Sequence, residues 1–152
     1  MSRRYNGRYR IVRPKRNAER HVRAGESLIT GGTQQTAFTY TATDAGVIKS
    51  IKLDIGATLA DSAFTIPYVL VHLREGNTVN TITYPALNDD MYSPTMDVLI
   101  SGILTGDGLE DHKSNRIGRK LKKNDQVVLI CRNPAVSGNT RIAFELNFSV
   151  LT

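Results

Sequence analysis

Arg3, Arg4, Tyr5, Arg8, Tyr9, Arg10, Arg13, Lys15, Arg16, Arg20 and Arg23 place nine cationic side chains and two phenol rings in the first 23 residues, against the single acid Glu19. Eight of the nine cations are arginines. A guanidinium group offers a planar fork that bonds phosphate oxygens in pairs and stacks on flat rings; a lysine ammonium does neither as well. The chemistry these residues suit is neutralisation of phosphates. In RRYNGRYR, Tyr5 and Tyr9 stand among arginines, so that rings can stack on unpaired bases while the neighbouring charges meet the backbone. That combination favours single-stranded nucleic acid over duplex. Nothing in the segment proposes an element that enters a groove and reads base edges, so the binding expected is driven by charge and nearly blind to sequence. A basic run of this kind also suits a nuclear-import receptor.

The charge is confined to that end. Nine bases and one acid give the first 23 residues +8; the other 129 carry 11 bases and 13 acids, or −2, and the two sum to the +6 of the chain. Tyr5, Tyr9, Ile11, Val12 and Val22 are the only sizeable apolar side chains before Ala24 and show no strand or helix period. Residues 1–23 are therefore expected to form a disordered basic arm, and residues 24–152 one domain large enough for a core. The N-terminus lacks the apolar stretch of a secretory signal, and no run reaches the roughly 18 apolar residues of a membrane span, so no membrane partner is expected.

The body reads as all-β. Ile142, Phe144, Leu146, Phe148 and Val150 alternate with mostly polar residues, the period of two that buries one face of a strand. Ile51, Leu53 and Ile55 alternate with Lys52 and Asp54, and residues 33–41 are rich in Thr and aromatics. The apolar runs Tyr68–Leu73, Val98–Leu104 and Val127–Cys131 fit strands covered on both faces. Turn signals between these runs leave room for about eight strands. Residues 84–96 read as a surface loop, with a short helix possible there or near residues 57–63. Eight strands with little helix close into a jelly roll or another sandwich, and patterning alone does not choose.

The body has its own basic cluster in RIGRKLKK. On a strand, Arg116, Lys120 and Lys122 share a face with Gly118, while Arg119 and Lys123 point the other way beside Ile117 and Leu121. The first set is a second candidate for phosphate contacts; the plain alternative is a solvated edge protected by lysine. No catalytic or metal-binding constellation emerges. His21, His72 and His112 are widely separated, with no H-x-H, H-E-x-x-H or paired-cysteine spacing. His72 lies in an apolar strand and is expected to be hydrogen-bonded structure; His112 is assigned to a loop spanning 107–115. Cys131, the only cysteine, is expected to be a small core residue. Asp89, Asp90, Asp107, Glu110 and Asp111 lack calcium-loop spacing and read as hydrated surface acids. SGILTGDG lacks the lysine and hydroxyl of a phosphate loop and reads as a turn. No enzyme activity and no cofactor are expected.

The Arg-rich arm, the strand-built body and the segment 116–130, with Leu121-Lys122-Lys123-Asn124-Asp125 leading into a β-branched run, resemble the capsid proteins of small icosahedral viruses. Those of circular single-stranded DNA viruses of the circovirus-like group are the most similar. Asn124 stands where that family commonly has Gly, a mild exchange because Asn tolerates the left-handed turn. The resemblance implies an eight-stranded antiparallel jelly-roll sandwich, a self-assembling shell of about sixty copies, and packaging of a single-stranded genome, DNA ahead of RNA. It also implies a virion location, with passage through the host nucleus if the arm acts as an import signal. Sixty arms of eight charges bring on the order of 500 positive charges to the genome, making packaging salt-sensitive. The alternatives are a non-viral single-strand-binding module with a β-barrel body and basic tail, or the coat of an RNA satellite virus.

Overall fold

The computed structural model describes residues 18–58, 65–79, 82–83, 96–105, 110–134 and 138–152. Arg3 to Arg16 of the arm, most of the 84–96 loop, and Asp89, Asp90 and Asp107 lie outside them. The described chain forms β1 (Ala18–Thr30), β2 (Thr33–Thr41), β3 (Gly46–Thr58), β4 (Ile66–Leu73), the two-residue β5 (Ile82–Thr83), β6 (Asp97–Leu104), β7 (Glu110–Leu121), β8 (Gln126–Asn133) and β9 (Asn139–Leu151). There is no helix among the described residues.

The pairing follows one rule. β1 pairs with β9, β2 with β8, β3 with β7 and β4 with β6, all antiparallel, so the chain is a long double-stranded ribbon folded back on itself. Wrapping the ribbon brings β3 beside β9 and β4 beside β8. Two sheets result, ordered β1-β9-β3-β7 and β5-β2-β8-β4-β6. With the two-residue β5 set aside as an addition at one edge, this is the eight-stranded jelly roll, and it settles the choice that patterning left open.

Alternation fills the space between the sheets. β3 contributes Ile48, Ile51, Leu53 and Ile55, and β9 contributes Ile142, Phe144, Leu146, Phe148 and Val150; both sets meet Tyr68, Leu70, Val127, Leu129 and Cys131 of the facing sheet. Burial pushes the Cys131 thiol up to about 12, so it behaves as an inert apolar group. β4 and β8 are covered on both faces, as their unbroken apolar runs predict. Val69, Val71, Leu73, Val128 and Ile130 form a second buried cluster behind the sheet, with Val79 and Met96 packed on it. Asn124 adopts φ 68° in the turn before β8, the left-handed conformation expected of it.

Three expectations need correction. The strand β1 reaches back to Ala18, so Arg20 and Arg23 belong to a paired strand and not to a disordered arm. The physical reason is β9, whose 13 residues all find partners on β1, from Leu151 with Ala18 to Asn139 with Thr30. β6 is not covered on both faces: it is a sheet edge, with Val98 37% and Ile103 57% exposed. His112 is exposed as expected, but Glu110 to Asn115 are strand, not loop.

Polar groups staple the sandwich where apolar ones run out. The Tyr68 hydroxyl donates to Asp111 Oδ2 at 2.6 Å, crossing from β4 to β7, and this donor, with Lys113 nearby, holds the Asp111 carboxyl below its usual range despite partial burial. Burial and the same bond push the Tyr68 phenol up. Asp125 is the strongest staple. Only 3% exposed, its carboxylate accepts from the Lys122 amide at 2.8 Å, the Glu75 amide at 3.1 Å and His72 Nε2 at 2.9 Å. Burial alone would raise its pKa, but these donors outweigh it and hold the group below the ordinary 3.8.

Asp125 therefore stabilises the fold fully above the ordinary carboxylate value, and that contribution is lost as pH falls through the lower folded value. Asp125→Ala strands three donors, the buried His72 ring and the part-buried Lys122 and Glu75 amides, and is expected to cost about 3 kcal/mol at neutral pH. Denaturant unfolding at pH 7 and near pH 3 checks this: the gap between wild type and variant should narrow in acid, and a constant gap would rule out the ionised carboxylate as its source.

Candidate nucleic-acid interface

The two outer faces of the sandwich differ. Behind β4 and β8 the surface is apolar and buried, whereas the outer face of β1-β9-β3-β7 is polar and exposed. The alternation that sends Ile51, Leu53 and Ile55 inward sends Lys52 and Asp54 outward, and the same holds for Asn147 and Glu145 on β9.

Register aligns these outward residues in rows across the four strands. Nearest the start of β1 come Ala18, Leu151, Val47 and Lys120. Next are Arg20, Ser149, Ser50 and Arg116, then Val22, Asn147, Lys52 and Ser114. These three rows hold Arg20, Lys52, Arg116 and Lys120 and no acid. Arg20 Nε donates to Asn147 Oδ1 at 2.9 Å, and the Ser50 and Ser149 hydroxyls meet at 3.1 Å, which fixes a shallow groove of about 300 Å³ between the cations. Arg20 and Arg116 stand on opposite edges of the sheet, about 14 Å apart by three strand spacings.

The following rows reverse the sign. Ala24, Glu145, Asp54 and His112 form one, and Glu26, Ala143, Gly56 and Glu110 the next. His112 Nδ1 contacts Asp54, and Arg141 pairs with Glu26 at 3.6 Å, leaving Glu145 and Glu110 to make this half of the face acidic. The face thus has a basic end and an acidic end, and the basic end is where β1 begins.

The structure brings together Arg20, Arg116 and Lys120 from the residues expected to meet phosphate. Arg23 is not with them: it lies at an inward register position on edge strand β1, and its guanidinium donates to the Val22 carbonyl at 3.2 Å. Lys122 does not share the face of Arg116, because β7 ends at Leu121 and Lys122 sits in the turn, facing a cleft between β6 and β7. Arg119 points the other way, as alternation requires, and pairs with Asp97 at 3.1 Å. Lys52 was missed, although its alternation with Ile51 and Leu53 already placed it on the polar face. Arg3, Arg4, Tyr5, Arg8, Tyr9, Arg10, Arg13, Lys15 and Arg16 lie outside the described residues.

The aromatic rings offer no platform on this face. Phe38 packs on Phe144 at 5.4 Å, Tyr40 on Phe148 at 4.9 Å, and Tyr68 is buried, so every described Phe and Tyr lies between the sheets. Among the described residues no group of three or more His, Cys, Asp or Glu is placed to hold a metal ion. His72 and Asp125 form a His–Asp pair, but among the described residues the cleft beside them is lined by no Ser, Thr or Cys that such a pair could activate.

No protein-family model matches this chain, and no curated protein does. Solved structures do. A CocE/NonD family hydrolase from Staphylococcus aureus is 11% identical with a TM-score of 0.46, over 89% of this chain and 33% of the hydrolase, so this chain spans about a third of that protein. A structure of Desmodium yellow mottle tymovirus is 10% identical with a TM-score of 0.35, over 97% of both chains. One of infectious bursal disease virus, Gx strain, is 10% identical with a TM-score of 0.21, over 90% of this chain and 43% of the other. Viral structures thus stand among those similar to this chain. At these values the likenesses carry no argument about what the chain does.

Proposed function

We propose that this chain is a viral capsid protein that assembles with copies of itself into a closed icosahedral shell and packages a single-stranded genome. The observation that carries the reading is the position of Arg20, Lys52, Arg116 and Lys120: they occupy the end of the exposed face from which the Arg-rich arm leaves. The nine cations of residues 1–23 and the cations of this end of the face are thus joined in the chain, and both suit the same polyanion.

Phosphates are neutralised by guanidinium and ammonium groups, released counterions drive the association, and the sequence of the strand is not read. The free edges of β1, β7 and β6, and the exposed Val22, Leu28, Val98 and Ile103, supply surface for contacts between copies. A shell of about sixty subunits with closed symmetry suits so short a jelly roll. The genome is read as DNA ahead of RNA, the location as the virion, and the arm as a second signal for import into the host nucleus. No catalytic step belongs to this reading. A single-strand-binding module is less well supported, because the described Phe and Tyr rings pack between the sheets and leave no stacking platform on the exposed face.

Sedimentation of the full chain in stepwise salt, with absorbance at 260 and 280 nm, tests the reading. One particle of about sixty subunits that carries nucleic acid and releases it at high salt is the expected result. A small species that binds single strands reversibly overturns the shell and leaves the module.

A further inference from the structure

The cleft between β6 and β7 encloses about 930 Å³ and uses side chains that take no part in the cationic face, Lys120 at their common corner excepted. Its charges fall into two groups. Each carboxylate already has partners: Asp125 accepts three hydrogen bonds, Asp97 pairs with Arg119 at 3.1 Å, and Glu75 Oε1 accepts from Asn124 Nδ2 at 2.8 Å. Arg74, Lys120 and Lys122 are exposed, line the same cleft, and have no ion pair or hydrogen bond from their side chains among the described residues. His72 closes the wall. It is 3% exposed, its Nε2 is held by Asp125, and its Nδ1 has no hydrogen-bond partner and stands 3.5 Å from Asp97 Oδ2.

The lining holds four cations, Arg74, Arg119, Lys120 and Lys122, and three carboxylates, a net +1 with His72 neutral, and the three cations without a partner are left to meet an oxyanion. A phosphate offers enough acceptors for Arg74, Lys120 and Lys122 together. The volume admits a nucleotide-sized group. We infer that the β6–β7 cleft is a phosphate-binding site, occupied by a backbone phosphate of the packaged strand. Lys120 stands on both the cleft and the basic end of the face, so a strand leaving the face by Arg116 passes Lys120 and reaches the cleft. The choice of strand phosphate over free phosphate rests on the packaging reading; the site itself does not.

The three histidines give a reporter, since His72 alone lines the cleft. Full-length protein labelled with ¹⁵N-histidine, sedimented and observed by magic-angle-spinning NMR, is titrated with inorganic phosphate and with decathymidylate against chloride of equal ionic strength. The His72 ring nitrogens are expected to shift saturably while those of His21 and His112 stay. Arg74→Ala with Lys122→Ala, both exposed, should weaken the response at least about tenfold. A response to both probes identifies the strand as occupant, and a response to phosphate alone identifies a free-phosphate site; either sustains the cleft as a phosphate site. No His72 response to either probe, or an undiminished one in the double variant, overturns it. Neither probe reads particle formation, so a chain that forms no shell yet shows the response loses the packaging reading and keeps this site.

Discussion

A chain lacking residues 2–17 is expected to lose nearly all its bound nucleic acid and to unfold at the same denaturant concentration as the full chain. The deletion removes Arg3, Arg4, Arg8, Arg10, Arg13, Lys15 and Arg16, seven cations and no acid. For single strands the logarithmic salt slope is about −0.7 per phosphate neutralised, so seven contacts correspond to a slope of roughly −5, or about a thousandfold in affinity over a fourfold change in salt. Extending the cut to residue 23 has a different result. Residues 18–23 pair with Leu151 to Leu146 of β9, and His21 stacks on Phe148 at 5.0 Å and 18°. Their loss exposes the edge of β9 and one face of the core, so the longer deletion should be destabilised. Filter binding at several salt concentrations, with urea unfolding of both deletions, checks the pair. Full-level packaging by the shorter deletion would place binding on the body; equal stability of the two would deny β1 its first six residues.

Phe148→Ala should cost about 4 kcal/mol, a large part of the 5–15 kcal/mol that hold an ordinary domain. The ring is 1% exposed and sits between His21 and Tyr40, with centroids at 5.0 and 4.9 Å, one stacked and one edge-on. Three elements, β1, β2 and β9, lean on it, so the surroundings cannot collapse into the cavity without moving a strand. Equilibrium unfolding in urea gives the number. A loss below 1 kcal/mol would mean that the inward and outward faces of β9 are exchanged, a one-residue slip that would also move Glu145 and Asn147 inside.

How far the sequence anticipated this structure varies by strand, and the variation has one cause. β9 and β3 sit in the interior of their sheet, where one face is core and the other solvent, so alternation is clean and their assignment follows from it. β4 and β8 are central and covered twice, so continuous apolar runs identify them. Edge strands break both patterns. β1 turns His21, Arg23, Gly25 and Ser27 inward before its first aliphatic core residue, Ile29, and the Phe144 ring occupies the space a side chain at Gly25 would fill. Its strand character comes from β9, which composition cannot see. β7 likewise turns Asp111, Lys113 and Asn115 toward the open side of the sandwich, where Tyr68, Asp111 and the Leu99 carbonyl satisfy them in turn. An edge strand with polar groups facing inward reads as a loop. The residues proposed to meet phosphate divide the same way: Arg116 and Lys120 follow from alternation, whereas the grouping of Arg20 with Lys52 and Arg116 needs the registers of β1, β3 and β7 on β9.

The sign reversal along the exposed face gives the body a permanent dipole with its positive pole at the root of the arm. In the field of a polyanion a dipole feels a torque as well as a pull, and within about one Debye length, roughly 8 Å at physiological salt, that torque acts before any contact forms. Subunits gathered along one strand would then arrive turned alike, with their acidic ends outward. If the chain packages a strand as proposed, that strand would act as a jig as well as a cargo, aligning neighbours before their edges meet. Raising the salt would spoil the alignment of incoming subunits before it prevents their capture, because the torque depends on the difference between two opposite poles, which screening removes sooner than the pull on the summed positive charge.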